Sequence, residues 1–433
     1  MFPPVDWNAD NTTAIGRGGV DMLIRRCAVV WLEPREIGTF QLDDLLAGGT
    51  GVVSRLAWFA HAPHLGAAIE IDAAHAPILG ELGPVDWIER GDLDGRFGDH
   101  AVDALLGAGL LHADHEDDEQ AEVEADFRGQ GWHAPAAVAH MAARWESVDG
   151  PKGMAETDVD TSEGLVRQRG LPPPPVVASM APATHVALPR IERDDFDALL
   201  DTRTTCRNYN PLAQVPLATF SQLMARVFGA RGIGHPAPGF DVYKRTSPSG
   251  GALHPTDCFL IVQRVTGIDP GLYRYRIESH ALEPVVPAIA PPQPGDTGTE
   301  PSGDATPRAW TTDELHAFAR IAVAGQDFFA NAAVLCVLAP RFHRNFWKYR
   351  NHAKAHRVCV LDAGHLSQTL QLCATQAGLG PFVTGAINEV DLERTFGMTG
   401  YAQSPLVVCG FGQRAATLVK SEFDPNRKIW PRD

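Results

Sequence analysis

The sequence predicts an α+β protein in two domains: a mixed sheet flanked by helices with one long central helix, preceded by a smaller module of winged-helix-like texture. Three observations carry that expectation. At 433 residues the chain is long for a single core. A proline-rich run, LPPPPVVASMAPATHVALPR (residues 171–190), divides two regions of different character and reads as an extended spacer. Beyond it, apolar runs of strand length are interleaved with segments of helical spacing.

Within residues 1–170, RRCAVVWL (Arg25 to Leu32) reads as a strand and QLDDLLAG as a short amphipathic helix. HAVDALLGAGLLHAD reads as a helix whose Leu105, Leu106, Leu110 and Leu111 lead into an edge strand. In DHEDDEQAEVEAD (Asp114 to Asp126) like charges repel, which predicts an extended, solvated segment, either a plain acidic loop or a landing strip for a basic peptide.

Residues 191–433 form the larger domain. ERDDFDALLDTRTTCRNY predicts a helix running into a turn, and PLATFSQLMARVFGA a second helix. DCFLIVQRV and GLYRYRI predict strands joined at GIDP. PAIAPPQPGDTGTEPSGDATPR predicts a surface loop, ELHAFARIAVAGQDFFANA a helix and AAVLCVLAP a strand. HAKAHRVCVLDAGHLSQTLQLCATQAGLG predicts the long helix, with Val358, Leu361, Leu366, Leu370, Cys373 and Ala377 at helical spacing and Gly378 and Gly380 at its end. PLVVCGFG predicts a last strand.

Composition narrows the function classes. With 44% hydrophobic and 21% charged residues the chain has the make-up of a soluble globular protein, and neither a spanning run nor a secretory signal is evident, so a cytoplasmic location is expected. Seven scattered cysteines without a CxxC pair suit a reducing compartment and small core positions. A net charge of −16 argues against nucleic-acid binding and makes a cationic peptide or a small molecule the more natural partner.

Five motifs could carry chemistry. Arg203-Thr204-Thr205-Cys206-Arg207 places two guanidiniums four residues apart with two hydroxyls between, a fork for phosphate or an ordinary exposed turn. In the stretch Thr246 to His254, Gly250, Gly251 and Ala252 carry almost no side chain, so the backbone can approach a flat ring, or simply form a loop. Gly410-Phe-Gly412-Gln-Arg-Ala415 is formally a dinucleotide fingerprint, but too little chain follows for the rest of that unit. His343, His352, His356 and His365 include an i, i+4 pair, yet HExxH and a suitably spaced third ligand are missing, so no metal is expected. Lys348-Tyr349 is unremarkable on a surface. In a half-dry pocket desolvation favours the neutral amine, which can then take a proton that the phenol shares.

Taken in order, these segments resemble the nitroreductase superfamily and, within it, the SagB-type flavin dehydrogenases of peptide maturation. RTTCRNY resembles the RRSxRxF-type opening, SPSGGALHPTDCFLIV the PSAGALxPxE-strand segment, and GLYRYRIESHAL the GLYxYxxxxHAL hairpin. FWKYRNHAKAHRVCVLDAGHLSQTLQLCATQAGLG resembles the KYxxRxYRxxLLEAGHxxQNLxLxAxxLGLG block, so the similarity covers roughly residues 190–415. Residues 1–170 match more loosely, resembling the winged-helix-like, peptide-engaging front part of some such enzymes.

The resemblance implies a nitroreductase-like fold, FMN as cofactor and a homodimer with flavin at the subunit interface. It implies that Arg203, Thr204, Thr205 and Arg207, joined by Arg414, hold the phosphate and ribityl chain. Pro248, Ser249, Gly250, Gly251 and Leu253 would line the isoalloxazine, with Thr384 and Gly385 near its N5 region. Lys348 and Tyr349 fall on the family's Lys-Tyr pair, to which the general-base role is attributed. Thr204 stands where many members have a second Arg, Asp362 replaces the Glu of LEAGH, and Thr369 replaces an Asn.

The implied reaction is oxidation of a thiazoline or oxazoline in a ribosomal precursor peptide to the azole, alongside other maturation enzymes. Lys348, aided by Tyr349, would remove the Cα proton as hydride passes from Cβ to flavin. Three alternatives stay open: desaturation of another bond in such a peptide, an NAD(P)H-driven small-molecule reductase, and a docking protein without catalysis.

Overall fold

The computed structural model describes residues 22–114, 119–176, 185–287, 289–293, 295–298 and 308–431. Much of the predicted surface loop PAIAPPQPGDTGTEPSGDATPR and the middle of the proline-rich run lie outside them. The flanks of that run, residues 171–176 and 185–190, have no helix or strand. Leu171, Val176, Val186 and Leu188 there are all exposed.

The chain divides into two units. The first comprises Met1–Arg144, Phe342–Arg357 and Gly400–Ala402, and the second Trp145–Arg341, Val358–Thr399 and Gln403–Asp433.

In the first unit, β1 (Leu23–Arg26) lies between β5 (Ile88–Glu89) and β6 (Leu111–Ala113), both antiparallel to it. The edge strand expected at the end of HAVDALLGAGLLHAD is therefore present as β6. Helices α2 (His75–Glu81), α3 (Arg90–Phe97) and α4 (Asp99–Gly107) accompany this sheet, and Ile78, Leu79, Leu93 and Leu105 share a core with Ile24. A second sheet runs β2 (Trp31–Phe40), β3 (Val52–His61), β4 (Ala68–Ile71), with α1 (Leu42–Leu46) at the β2–β3 turn.

Two expectations need correction here. The strand expected over Arg25–Leu32 is two strands in different sheets, because the Cys27 amide donates to Leu110 O and the chain leaves the first sheet there. The acidic stretch expected to be extended is helical from Glu119: α5 spans Glu119–Gly129. Glu124 turns inward and pairs with Arg25 at 2.8 Å, also accepting the Ala28 amide, so its charge is neutralised rather than solvated. Residues 115–118 are outside the described set.

The remainder of the first unit is α6 (Ala134–Ala142), α13 (Phe342–Phe346) and the turn leading to α14 (Ala355–Gln376), whose later turns belong to the second unit. Trp132 is the hub. Its ring packs on Phe342, Phe346, His140 and His356, and its Nε1 donates to Tyr401 O.

The second unit opens with α7 (Gly150–Glu156), α8 (Ser162–Arg169), α9 (Asp195–Thr202) and α10 (Leu217–Val227), then the hairpin β7 (Gly232–Ala237) and β8 (Phe240–Lys244). Its frame is a six-stranded sheet in the order β11-β10-β9-β12-β14-β13. The strands are β9 (Thr256–Val262), β10 (Gly271–Arg276), β11 (Ala281–Val285), β12 (Val334–Pro340), β13 (Gly380–Thr384) and β14 (Val407–Gly412). All pairings within it are antiparallel, so the mixture is of helix and strand, not of strand direction.

Residue alternation sends Phe259, Ile261, Leu335 and Val337 to one face, against α11 (Thr312–Ala322), α12 (Asp327–Ala330) and α15 (Glu389–Phe396). Cys258, Leu260, Cys336 and Cys409 point the other way, onto α10 and the Ala363, Leu366, Leu370 and Ala374 stripe of α14. Six of the seven cysteines are buried thiols. The single helix expected over ELHAFARIAVAGQDFFANA is broken into α11 and α12 where Ala324 and Gly325 adopt left-handed φ of 49° and 77°. Leu361, expected in the core, is 54% exposed, beside Val360 at 45%.

Among the described residues, no helix is long and apolar enough to cross a membrane.

Candidate functional site

The turn after α9 is built around a buried anion supplied by the chain itself. An Asp194 capping box starts α9, and Arg203 ends it in extended backbone. The Cys206 amide donates to Pro381 O (2.8 Å), tying the turn to β13. Glu422 then fills its inner side: Oε1 accepts from the amides of Arg207 (2.6 Å) and Asn208 (3.1 Å) and from Asn208 Nδ2 (2.8 Å). Its Oε2 accepts from Arg414 Nη1 (2.7 Å) and Trp430 Nε1 (2.9 Å). Burial, the largest influence on this carboxyl, pushes it up, but the bonds from Trp430, Arg207 and Asn208 and the charge of Arg414 together hold it below the usual range.

Asn208 completes the strap, taking the Val419 and Lys420 amides on its Oδ1. Sequence reasoning missed Glu422 and Asn208 altogether; Glu422 is 215 residues from Arg207 and sits in no motif.

The two predicted guanidiniums differ in their freedom. Arg203 donates to Gln371 Oε1 of α14 at 3.0 Å. The side chain of Arg207 makes no hydrogen bond or ion pair among the described residues and lies over the Phe328 ring, 5.9 Å from its centroid. Arg414, besides holding Glu422, donates to Thr204 O at 2.9 Å. Thr204 itself is buried and Thr205 half-buried.

The loop Pro248–Leu253 is fixed by the face of α14 that carries Asp362 and Thr369, seven residues and two turns apart. Asp362 accepts from Ser249 Oγ (2.5 Å) and the Gly250 amide (3.3 Å), while Thr369 Oγ1 meets Ser247 Oγ at 2.8 Å. Burial raises the Asp362 carboxyl, and the bonds from Ser249 and Gly250 oppose it.

Gly250 permits contact that no other residue would, since a Cβ there would stand 2.2 Å from Val358 Cγ1. Gly251, Ala252 and His254 have left-handed φ of 64°, 60° and 45°, strain of the kind that gathers at ligand-contacting loops. Pro248, Gly251 and Ala252 are exposed and Leu253 is buried beneath them. At the end of β13, Gln326 Nε2 donates to Thr384 Oγ1 (3.1 Å) and Ala386 O (2.9 Å), fixing Thr384 and leaving Gly385 exposed.

Lys348 and Tyr349 belong to the first unit. Their turn is anchored through Asn345, which accepts both amides on its O (3.2 Å each) and donates Nδ2 to Ala355 O at 2.9 Å. The Asn351 amide donates to Gly131 O, where a left-handed φ of 77° and the nearby Arg350 side chain favour glycine. Lys348 is exposed, with its Nζ 5.5 Å from the Tyr349 ring centroid. Of the four histidines, His356 is half-buried against the Trp132 ring and His352 Nδ1 accepts the Lys354 amide.

These features suit a flat ring with an anionic tail: an open, nearly side-chain-free loop, and a guanidinium with its donors unspent.

Residues 200–413 match the profile of the Nitroreductase family. A Methanocaldococcus jannaschii protein named as a nitroreductase is 24% identical over 235 residues, 54% of this chain and 99% of that protein. The trifolitoxin-processing protein TfxB of Rhizobium leguminosarum bv. trifolii is 24% identical over 164 residues, 38% of each chain. Among solved structures, the E. coli microcin synthetase McbBCD complex with truncated pro-MccB17 bound is 19% identical, with a TM-score of 0.46 over 67% of this chain and 97% of that one.

Proposed function

We propose, from the nitroreductase-family domain over residues 200–413, that the protein is an FMN-dependent dehydrogenase of ribosomal peptide maturation, of the SagB type, oxidising a peptide azoline to the azole. The observation that carries the reading is the presence, in one unit, of a strained, open glycine loop and the unspent Arg207 guanidinium. Similarity to a trifolitoxin-processing protein supports a peptide substrate. Nitroreductase-family proteins are typically flavin dependent, which supports the cofactor.

In this reading Arg203 and Arg207, with Thr205, hold the anionic tail, and Arg414 acts by fixing the turn through Thr204 O and Glu422. Pro248, Ser249, Gly250 and Gly251, seated on Leu253, form a flat backbone surface for the ring, with Thr384 and Gly385 at its far edge. FMN, when bound, supplies the acceptor for the hydride leaving the substrate. Lys348 takes the Cα proton at Nζ, and Tyr349 beneath it shares that proton through its hydroxyl. Because Lys348 is exposed, the water around it must leave before it can act, so the docked peptide is itself part of the base's environment. A homodimer belongs to the reading, and exposed Val360 and Leu361 on α14 offer apolar surface for it.

The test is peptide turnover by mass spectrometry, looking for loss of two hydrogens. Lys348→Ala and Tyr349→Ala are expected to stay yellow and to lose most turnover, on the order of 100-fold or more. Full activity of both variants would remove the assigned base. A second reading, an NAD(P)H-driven small-molecule reductase, is favoured by the M. jannaschii protein, matched over 99% of its length. Rapid bleaching of the flavin by NAD(P)H without peptide would select it.

A further inference from the structure

The first unit contains a cavity of about 290 Å3 whose walls include Val29, Phe127 and Trp132, with Arg128, His133 and Asn351 among the residues that line it. It is preformed. Phe127 and Trp132 are both buried, the Trp132 indole is fixed by its bond to Tyr401 O, and its ring stacks on His140 at 5.3 Å with 14° between the planes. Such walls favour an apolar guest, because the rings need not reorganise to receive it. The size is at the low end for ligand pockets, roughly 300 Å3 and upward, and suits one large side chain.

The polar lining is not neutral. Neither the Arg128 guanidinium nor the His133 imidazole makes a hydrogen bond or ion pair among the described residues. A guanidinium with its donors free beside an apolar cavity is a fork for carboxylate. The chain carries −16 overall, but charges are screened beyond about 8 Å at physiological salt, so the local cation decides what enters.

Asn351 ties this cavity to the chemistry. It follows Tyr349 by two residues, which holds their Cα atoms within about 7 Å. It has a left-handed φ of 53°, and its amide donates to Gly131 O at 2.9 Å.

We propose that this cavity receives a bulky aromatic or branched aliphatic side chain of the substrate peptide, with an adjacent carboxylate of that peptide meeting Arg128. The inference rests on the peptide-oxidation reading and names the sequence class of its substrate. The occupant sets the register in which the peptide crosses the Lys348-Tyr349 turn.

The experiment uses the full-length flavoprotein and four fluorophore-labelled hexapeptides that carry Phe-Asp, Phe-Asn, Ala-Asp or Ala-Asn at the centre, with binding read by fluorescence anisotropy. Phe-Asp is expected to bind tightest, with loss of either feature weakening it roughly tenfold. Val29→Trp, which fills the cavity, is expected to abolish the Phe preference. Arg128→Glu is expected to reverse the Asp preference, and neither change should alter flavin content. Equal binding of all four peptides, or preferences that survive both substitutions, would overturn the cavity assignment whatever the enzyme's turnover. If the preferences hold and respond to both substitutions while an azoline-bearing peptide with the same Phe-Asp centre loses no hydrogens, the cavity stands as a peptide site and the oxidation reading falls.

Discussion

Replacing Glu422 by alanine tests whether the C-terminal strap organises the turn after α9 that is proposed to hold the cofactor. The carboxylate side chain is 0% exposed and takes five donors: the Arg207 and Asn208 amides, Asn208 Nδ2, Arg414 and Trp430. Removing one partner of a buried ion pair costs about 3–5 kcal/mol, because the other charge stays behind uncompensated. That range corresponds to a fall in melting temperature of roughly 6–20 °C for a unit of this size. If bound FMN must restore the order lost from the turn, about 3 kcal/mol appears as binding weakened by roughly a hundredfold.

The assay is flavin-fluorescence titration beside a thermal melt, on wild type, Glu422→Ala and Glu422→Gln. Glutamine keeps shape and one acceptor but sets an amide against a donor, so it should fall between the other two. The pH dependence has a definite sign. A carboxyl held below its ordinary value of 4.5 stabilises the fold fully above that pH and stops doing so as pH falls through the lower folded value. The melting advantage of wild type over Glu422→Gln must therefore shrink below about pH 4.5. Unchanged FMN affinity and melting temperature in Glu422→Ala would refute the structural role given to the strap.

Two further outcomes follow from the same reasoning. Burial first, and then the charge of His356, push His140 down to about 3, while the Gly400 carbonyl partly opposes them. The unfolded chain therefore binds a proton that the fold refuses between pH 6.5 and 3, and stability drops on acidification by an amount on the order of 4 kcal/mol. Melts from pH 7 to 4 should show a shallower slope for His140→Phe, and an identical slope would remove His140 as the cause. Gly250→Ala should lower FMN affinity and melting temperature together, since its Cβ would stand 2.2 Å from Val358 Cγ1. Val358→Ala in the same chain should recover most of the loss, and no recovery would place the defect elsewhere.

What could be read beforehand was local and periodic. The run of β-branched and aromatic residues in DCFLIV gave β9, whose Cys258 and Leu260 lie on one face and Phe259 and Ile261 on the other, and helical spacing gave α14. Where tertiary partners decided, reading failed. Asp114–Asp126 looked solvated because nothing nearby in sequence shows that Arg25 and the Ala28 amide await Glu124, about a hundred residues earlier. The break between α11 and α12 is set by two left-handed residues, of which Ala324 gives no warning by type. The RTTCR turn and the glycine loop stood out through their unusual residue types, whereas Glu422 was one acid among many near the C-terminus.

The three departures from the family pattern become intelligible as a set. Thr204 is buried and its carbonyl is held by Arg414, so an arginine in its place would bring a second charge into a position without room for solvent. Asp362 and Thr369 are both short and both hold the glycine loop directly, through Ser249, Gly250 and Ser247. Short side chains on the helix need a loop that comes close, and Gly250 against Val358 is what allows the approach. The loop and the helix therefore constrain each other: a longer acid at 362 would push against a loop already in contact, and a larger residue at 250 would lift it off its hydrogen bonds. The charge missing at Thr204 is not made up by Arg414, whose guanidinium is engaged with Glu422. In the proposed reading, recognition of an anionic tail consequently rests most heavily on Arg207, the guanidinium whose donors the fold leaves unspent.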